Sequence, residues 1–122
     1  MHYRFDSIVE GSLSIAQTEA LNRKNTELDA LHLLFGLVTN PQSYSKRSLG
    51  KYKKEIEKHL NSLAQSKSKV EMDQLRPSAK LSEWLTYASG NSVQTGAVEV
   101  RERDLLKFLP QIFPKLDINY HD

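Results

Sequence analysis

Residues that match at a spacing of 72 positions most constrain the fold of this 122-residue chain. The matched pairs include two candidate helix N-caps and the hydrophobic positions of two helices: Asp6 and Ser78, Val9 and Leu81, Leu13 and Leu85, Ala16 and Ala88, Leu28 and Val100, Leu33 and Leu105, Leu34 and Leu106, and Leu37 and Leu109. The register needs no gap, so we interpret it as two copies of one helical unit. Neither copy can bury its apolar face alone, which predicts that the two pack together.

Hydrophobic residues spaced three and four positions apart predict an all-α fold. Helices are predicted after the N-caps Asp6, Asp29, Ser43 and Ser78, and over residues 51–65 and 99–109, with Asn40-Pro41 and Pro110 as helix ends and a turn at Gly90 or Gly96. We predict a single domain over residues 1–122, with two tandem pseudo-repeats of a roughly four-helix unit. Repeat one covers about 5–65, a linker loop 66–77, and repeat two about 78–122. The counterpart of the 51–65 helix would start beyond residue 122, so the second repeat is expected to be truncated.

Composition and short motifs exclude several classes of function. The chain has no cysteine, which excludes disulfides and thiolate zinc sites. Its formal charge of +2 is too small to require a nucleic-acid partner. The N-terminus lacks the features of a signal peptide, and no apolar run approaches the roughly 20 residues that span a bilayer. These two observations predict a cytoplasmic protein. A G-x-x-x-x-G-K-[ST] loop is missing and no residues are grouped as a catalytic or metal site would need, so we expect no catalytic, metal or cofactor site in this chain.

His32 lies in the middle of an apolar helical run and raises the question of a ligand or a catalytic base. In the repeat register it corresponds to Asp104, another polar residue in the first turn of a helix. A catalytic or metal-binding histidine is not expected to have an aspartate at its duplicate position. The register therefore predicts a structural role for His32.

The order of these motifs resembles the Clp amino-terminal repeat domain of Clp-family AAA+ unfoldases and disaggregases. The resemblance covers about residues 5–110 and rests on A16-xxx-A20, L28-xx-L31-H32-L33-L34-xx-L37, R76-P77-S78-xx-L81-xxx-L85, Ala88, Gly96 and V100-xxx-D104-L105-L106-xx-L109. The ClpB-type disaggregase is the nearest subfamily, and the ClpV type, which recycles secretion sheaths, is the rival. The family's fold is two similar four-helix repeats tethered to ATPase rings.

The resemblance implies a docking domain that binds unfolded or aggregated polypeptides, or an adaptor protein, and delivers them to an AAA+ ring on the same chain. ATP is then expected only in a separate downstream region. Within the family, docking of an adaptor or of a secretion-sheath helix is the alternative. A small helical nucleic-acid-binding domain is the alternative from another class, since Lys46, Arg47, Lys51, Lys53, Lys54 and Lys58 form a basic cluster. Glu55 and Glu57 interrupt that cluster, which favours a solvated outer surface.

In the disaggregases the binding groove involves the cap of the first helix, the fifth helix and the loop into the sixth. The resemblance therefore implies a partner-binding surface here that includes Asp6, Trp84, Tyr87, Ala97, Val98, Glu99, Glu102, Arg103 and Asp104. Ala97 and Arg103 stand where the disaggregases carry acids, so Glu99 and Glu102 are the acids nearest to those places. Trp84 has a competing interpretation as a core residue, because it shares an apolar helical stripe with Leu81 and Leu85.

Overall fold

Two long helices, α1 (Ser7–Asn22) and α5 (Ala79–Gln94), form the framework of the computed structural model, which describes residues 3–116. Each helix begins at a side chain that accepts a hydrogen bond from the third helical residue. The Asp6 carboxylate accepts from the Val9 N–H at 2.9 Å, and the Ser78 hydroxyl accepts from the Leu81 N–H at 3.1 Å. The two predicted caps are confirmed, and they stand at equivalent places in the register.

The shorter elements lie between the two long helices and after the second one. They are β1 (Glu27–Leu28), α2 (Ala30–Thr39), α3 (Tyr44–Leu49), a 3-10 turn (Gly50–Tyr52), α4 (Lys53–Leu60), a second 3-10 turn (Met72–Gln74), β2 (Arg76–Pro77), α6 (Glu102–Leu106) and α7 (Leu109–Ile112). The predicted all-α class of two packed pseudo-repeats is confirmed, with one two-residue pair of strands added.

Equivalent capping boxes open α2 and α6. The Asp29 N–H donates to His32 Nδ1 at 2.8 Å, and the Arg101 N–H donates to the Asp104 carboxylate at 2.8 Å. In each case the third helical residue accepts a hydrogen bond from the N-cap backbone, a reciprocal arrangement that satisfies donors at a helix start. An imidazole and a carboxylate thus perform the same task at positions 72 residues apart.

The two repeats exchange the short segments that precede their helices. Leu28, ahead of α2, pairs in parallel with Pro77, and Val100, ahead of α6, pairs in parallel with Phe5. The Ser78 N–H donates to the Leu28 carbonyl at 2.9 Å, and the Asp6 N–H donates to the Val100 carbonyl at 3.0 Å. Each repeat therefore completes the backbone hydrogen bonding of the other.

Helix α2 lies at the centre of the core, with Leu33, Leu34 and Leu37 fully buried. It approaches α1 so closely that a Cβ at Gly36 would stand 2.1 Å from the Ser12 carbonyl oxygen. Only glycine permits this backbone contact. The groove-lining residues of α1, Leu13 and Gln17, therefore belong to a helix that α2 holds firmly in place.

Several predicted boundaries are wrong, each for a local reason. The helix predicted over 51–65 is shorter, because its first residues form a 3-10 turn and its end tightens into three-residue hydrogen bonds after Leu60. Of the two glycines offered for the turn, Gly90 lies inside α5, whereas the turn at Gly96 is confirmed, with φ at +81°. Pro110 occupies the first turn of α7, where its missing N–H is harmless, and the preceding helix already ends at Leu106.

Candidate functional site

A groove of about 670 Å³ runs between α1 and α5, where the two repeats meet. The segments ahead of the two helices contribute Tyr3, Phe5, Leu75 and Pro77. The helices contribute an apolar row that includes Leu13, Leu81 and Leu85. All twelve of the described lining residues are uncharged, so the groove favours uncharged, apolar ligands.

Two hydroxyl groups at the rim of the groove, those of Tyr3 and Thr86, already have hydrogen-bond partners. The Thr86 hydroxyl donates to the Ser82 carbonyl at 2.9 Å and lies 3.0 Å from the Tyr3 hydroxyl, which therefore donates to it. Met72, in the turn that precedes β2, lines the groove with about half of its side chain (51%) exposed. A flexible thioether at a rim adapts to ligands of different shape.

Trp84 is a core residue. It is completely buried, its indole N–H donates to the Leu105 carbonyl at 2.9 Å, and its ring meets Phe113 edge-on with centroids 5.1 Å apart. A side chain in this position cannot contact a partner. The prediction that Trp84 binds one is therefore wrong, and the competing core interpretation is confirmed.

Glu102, another predicted partner-binding residue, is occupied by contacts within the protein. Its carboxylate accepts hydrogen bonds from the Tyr44 N–H at 3.0 Å and the Ser45 N–H at 2.6 Å, and it also accepts from the Ser45 hydroxyl. It thereby connects the start of α6 in the second repeat to the start of α3 in the first. An anion is favourable at a helix N-terminus, so this contact stabilises the packing of the repeats.

We expect the substitution Glu102→Gln to lower the free energy of unfolding by about 1–2 kcal/mol, because charge-assisted hydrogen bonds are replaced by neutral ones. Urea denaturation followed by circular dichroism measures the change. Glu99→Gln is the matched control: Glu99 is exposed, and its substitution should change stability by less than about 0.5 kcal/mol. Equal effects of the two substitutions would contradict the role assigned to Glu102.

The other predicted residues of the loop and of the first cap lie at the surface around the Phe5–Val100 pairing. The Asp6 carboxylate caps α1, and the Asp6 N–H bonds to the strand residue Val100. Val98 is 77% exposed, and Glu99 and Arg103 are exposed as well. Apart from Asp6, these side chains extend into solvent, and none of them lines the groove.

Asp104, which the resemblance also placed in the surface, is buried and fully bonded. Burial alone raises the pKa of its carboxyl, but hydrogen bonds from Arg101 and Asn91 outweigh burial and hold that pKa below its ordinary value. Arg101 contributes two of these bonds, each 3.0 Å long, from its guanidinium. This pair fixes the start of α6 and is not free to bind a partner's charge.

Tyr87 is 42% exposed on α5 and stacks at a tilt on Phe108, with ring centroids 5.4 Å apart. A hydrogen bond to the neighbouring Glu83 carboxylate raises the pKa of its phenol. Tyr87 is adjacent in sequence to the groove residue Thr86, but it does not line the groove. The structure thus divides the predicted surface into the Asp6 and 98–103 region and the Tyr87–Phe108 pair.

His32 is completely buried and bonded at both ring nitrogens. Since Nδ1 accepts from the Asp29 N–H, the proton is on Nε2, which donates to the Asn25 side-chain oxygen at 2.7 Å. Burial lowers the pKa of the imidazole from 6.5 to about 4. His32 is neutral and has the structural role that the register predicts.

The basic cluster lies on α3, α4 and the turn between them. Five of its six cations are exposed, and none forms an ion pair with a carboxylate of the described residues. Lys51 and Lys53 instead place their ammonium groups 5.3 Å from the Tyr52 ring centroid and 5.4 Å from that of Phe35. Such contacts place the apolar stems of lysine along the surface and leave the charge in water.

Sequence reasoning missed the groove, although the repeat register contains the clue. Hydrophobic spacing places Leu13 and Leu85 on the packed faces of their helices, and in the structure Leu13 is partly buried and Leu85 is 9% exposed. Which of the matched leucines border an opening depends on the angle between α1 and α5. Hydrophobic spacing contains no information about that angle.

The arrangement defines an all-helical module of two pseudo-symmetric repeats with an uncharged groove between them. A family profile for the Clp repeat N-terminal domain matches residues 4–107. The chain belongs to this family, whose members are accessory domains of Clp-type ATPases. No curated protein sequence matches the chain significantly.

Three solved structures illustrate the shared fold. The chain is similar to the N-terminal domain of Hsp104 from Candida albicans, with a TM-score of 0.71, 20% identity, and coverage of 93% of this chain and 81% of that one. The N-terminal domain of the ClpV1 ATPase of the E. coli EAEC Sci1 secretion system has a TM-score of 0.76 and 17% identity, over 95% of this chain and 78% of that one. The N-terminal domain of ClpD from Arabidopsis thaliana has a TM-score of 0.68 and 14% identity, over 95% of this chain and 89% of that one. At these identities the likeness concerns the fold.

Within residues 3–116, the helices are too short or too polar for any of them to cross a lipid bilayer. The same residues contain no cluster of three or more histidine and acidic side chains suited to hold a metal ion.

Proposed function

We propose that this domain docks unfolded or aggregated polypeptides for a Clp-type ATPase and delivers them to its AAA+ ring. The observation that supports the proposal is the uncharged groove between the repeats of a chain that belongs to the Clp repeat family. Unfolded chains expose the apolar side chains that folded proteins bury, and an apolar groove binds them without regard to a particular fold. A disaggregase-type role and a cytoplasmic location remain predictions.

The groove can accept such segments without rearrangement of charged groups. The Tyr3 and Thr86 hydroxyls at its rim are hydrogen-bonded, so an apolar ligand that covers them leaves neither donor without a partner. Tyr3, Phe5 and Met72 offer broad, partly exposed side chains that contact a ligand at low entropic cost or adapt to its shape. This combination is typical of a surface that binds many sequences weakly.

We expect Met72→Ser to weaken binding of a permanently unfolded polypeptide by about fivefold, because a half-exposed apolar contact is removed from the groove. Val93→Ser is the matched control: Val93 is 71% exposed on α5, and it lies outside the groove. An NMR titration of the labelled domain measures affinity and locates the contact. If both variants bind with equal affinity and the chemical-shift changes are confined to Asp6, Tyr87 and residues 98–103, the binding site is the surface that the resemblance implies and not the groove.

Docking of one adaptor or secretion-sheath helix is the alternative within the family, and the ClpV1 domain shares the fold. A groove that binds a helix recognises anchors at helical spacing, so it selects one peptide over generic unfolded chains. Strong binding of a single helical peptide together with indifference to unfolded polypeptide would favour this alternative. DNA binding with a steep salt dependence would instead favour a role for the basic cluster.

A further inference from the structure

We propose that the groove binds extended apolar segments in either chain direction. This inference rests on the proposed function and specifies its ligand as a short, uncharged, extended stretch of polypeptide. The evidence is a pseudo-twofold symmetry of the site itself, visible in its lining residues and in the backbone around it.

Half of the lining residues are equivalent pairs. Tyr3 and Leu75, Phe5 and Pro77, and Leu13 and Leu85 all line the groove, and the members of each pair are 72 positions apart. Equivalent positions of both repeats therefore form half of the described lining. The groove does not belong to either repeat alone.

The spatial relation between the repeats is reciprocal. Phe5 pairs with Val100, while its equivalent Pro77 pairs with Leu28, the equivalent of Val100. In a twofold, isologous interface, position i of the first unit contacts position j of the second, and position j of the first contacts position i of the second. The two pairings have this relation. The axis relating the repeats passes between α1 and α5, where the groove lies.

A twofold axis that emerges through a surface groove has a direct consequence for ligands. Rotation by half a turn about that axis exchanges Leu13 with Leu85 and reverses the direction of any segment lying along the groove. At each of the three paired positions the reversed segment again meets an apolar or aromatic side chain. Charges at one end would fix the direction of a ligand, and the described lining has none.

The size of the groove favours a short segment over a second copy of the chain. A stable protein–protein interface involves about 20–30 residues on each side, whereas twelve described residues line the groove. The unpaired members of the lining, such as Met72 and Gln17, break the symmetry only in part. We therefore expect affinities for the two directions to be similar and not identical.

The test uses a short uncharged apolar peptide with acetylated and amidated ends, and a second peptide with the reversed sequence. Fluorescence anisotropy should give dissociation constants that agree within about threefold, a difference of less than 1 kcal/mol. A spin label at one end of the first peptide should broaden amide signals of the protein near both Tyr3 and Leu75. Leu13→Val and Leu85→Val, one substitution at two equivalent positions, should weaken binding by the same factor, about threefold.

Each result has one interpretation. A difference of about tenfold or more between the two peptides, or broadening at one end only, overturns direction-independent binding and leaves the proposed function intact. Failure of both peptides to bind, with the variants folded by circular dichroism, overturns the inference and the proposed function together. Concentration-dependent dimerisation that competes with the peptide would show that a second copy occupies the groove, and would also overturn the inference.

Discussion

Gly36→Ala is expected to lower the free energy of unfolding by at least about 3 kcal/mol, because the new methyl group would meet backbone that cannot move aside. A Cβ at this position would stand 2.1 Å from the Ser12 carbonyl oxygen and 3.4 Å from the Ala16 nitrogen. To relieve the overlap, α1 and α2 must separate, and their separation would open the centre of the core. Typical domains have only about 5–15 kcal/mol of stability, so a large part of it would be lost. Urea denaturation measures the effect.

Gly90→Ala is the matched control for this experiment. Gly90 lies inside α5, and a Cβ there meets no atom within 4 Å. Alanine should therefore stabilise the domain by about 0.4–1 kcal/mol through helix propensity and a less flexible unfolded chain. If both substitutions changed stability by the same amount, the close approach of α1 and α2 would not be the cause.

The domain is expected to lose about 3 kcal/mol of stability through His32 alone between pH 7.5 and pH 4. Burial holds the imidazole pKa in the folded state at about 4, against 6.5 in an exposed chain. As the pH falls below 6.5, the unfolded chain binds a proton that the folded state cannot accept. Stability therefore falls until the pH reaches the folded pKa and then levels off. Protonation would also place a proton on His32 Nδ1, which then faces the Asp29 N–H as a second donor and can no longer accept its hydrogen bond.

The substitution His32→Gln isolates this effect from other titrating groups. Glutamine at the third helical position can still accept from the N-cap backbone, and it does not titrate in this range. The measurement is the stability of the wild-type protein minus that of the variant, from urea denaturation at several pH values. This difference should shrink by about 3 kcal/mol from pH 7.5 to 4. A constant difference would show that His32 keeps its ordinary pKa in the folded state.

The repeat register predicted much of the fold because it reports equivalent local environments. Asp6 and Ser78 cap equivalent helices, and His32 and Asp104 accept equivalent hydrogen bonds. Each of these contacts spans only three residues of sequence. Local hydrogen bonding of this kind depends on residue type and spacing, and both can be read directly from the chain.

The candidate site was predicted less well, because it depends on distances between helices. Nothing in the spacing of α5 shows that Trp84 reaches the Leu105 carbonyl across the core. Likewise, the exposed-looking acid Glu102 binds the start of α3, which is 57 residues away in sequence. The groove forms where segments of both repeats meet, and periodicity within one helix does not predict its opening.

The exchange of segments between the repeats bears on how the protein is made. Phe5 leaves the ribosome early, but its strand partner Val100 is added much later. At about 5–20 residues per second, the start of the chain waits several seconds or more for the residue that completes its backbone pairing. For most of that interval the α5 side of the groove is missing as well, since α5 ends only a few residues before Val100. During synthesis the domain therefore exposes apolar segments of the same kind that its own groove favours.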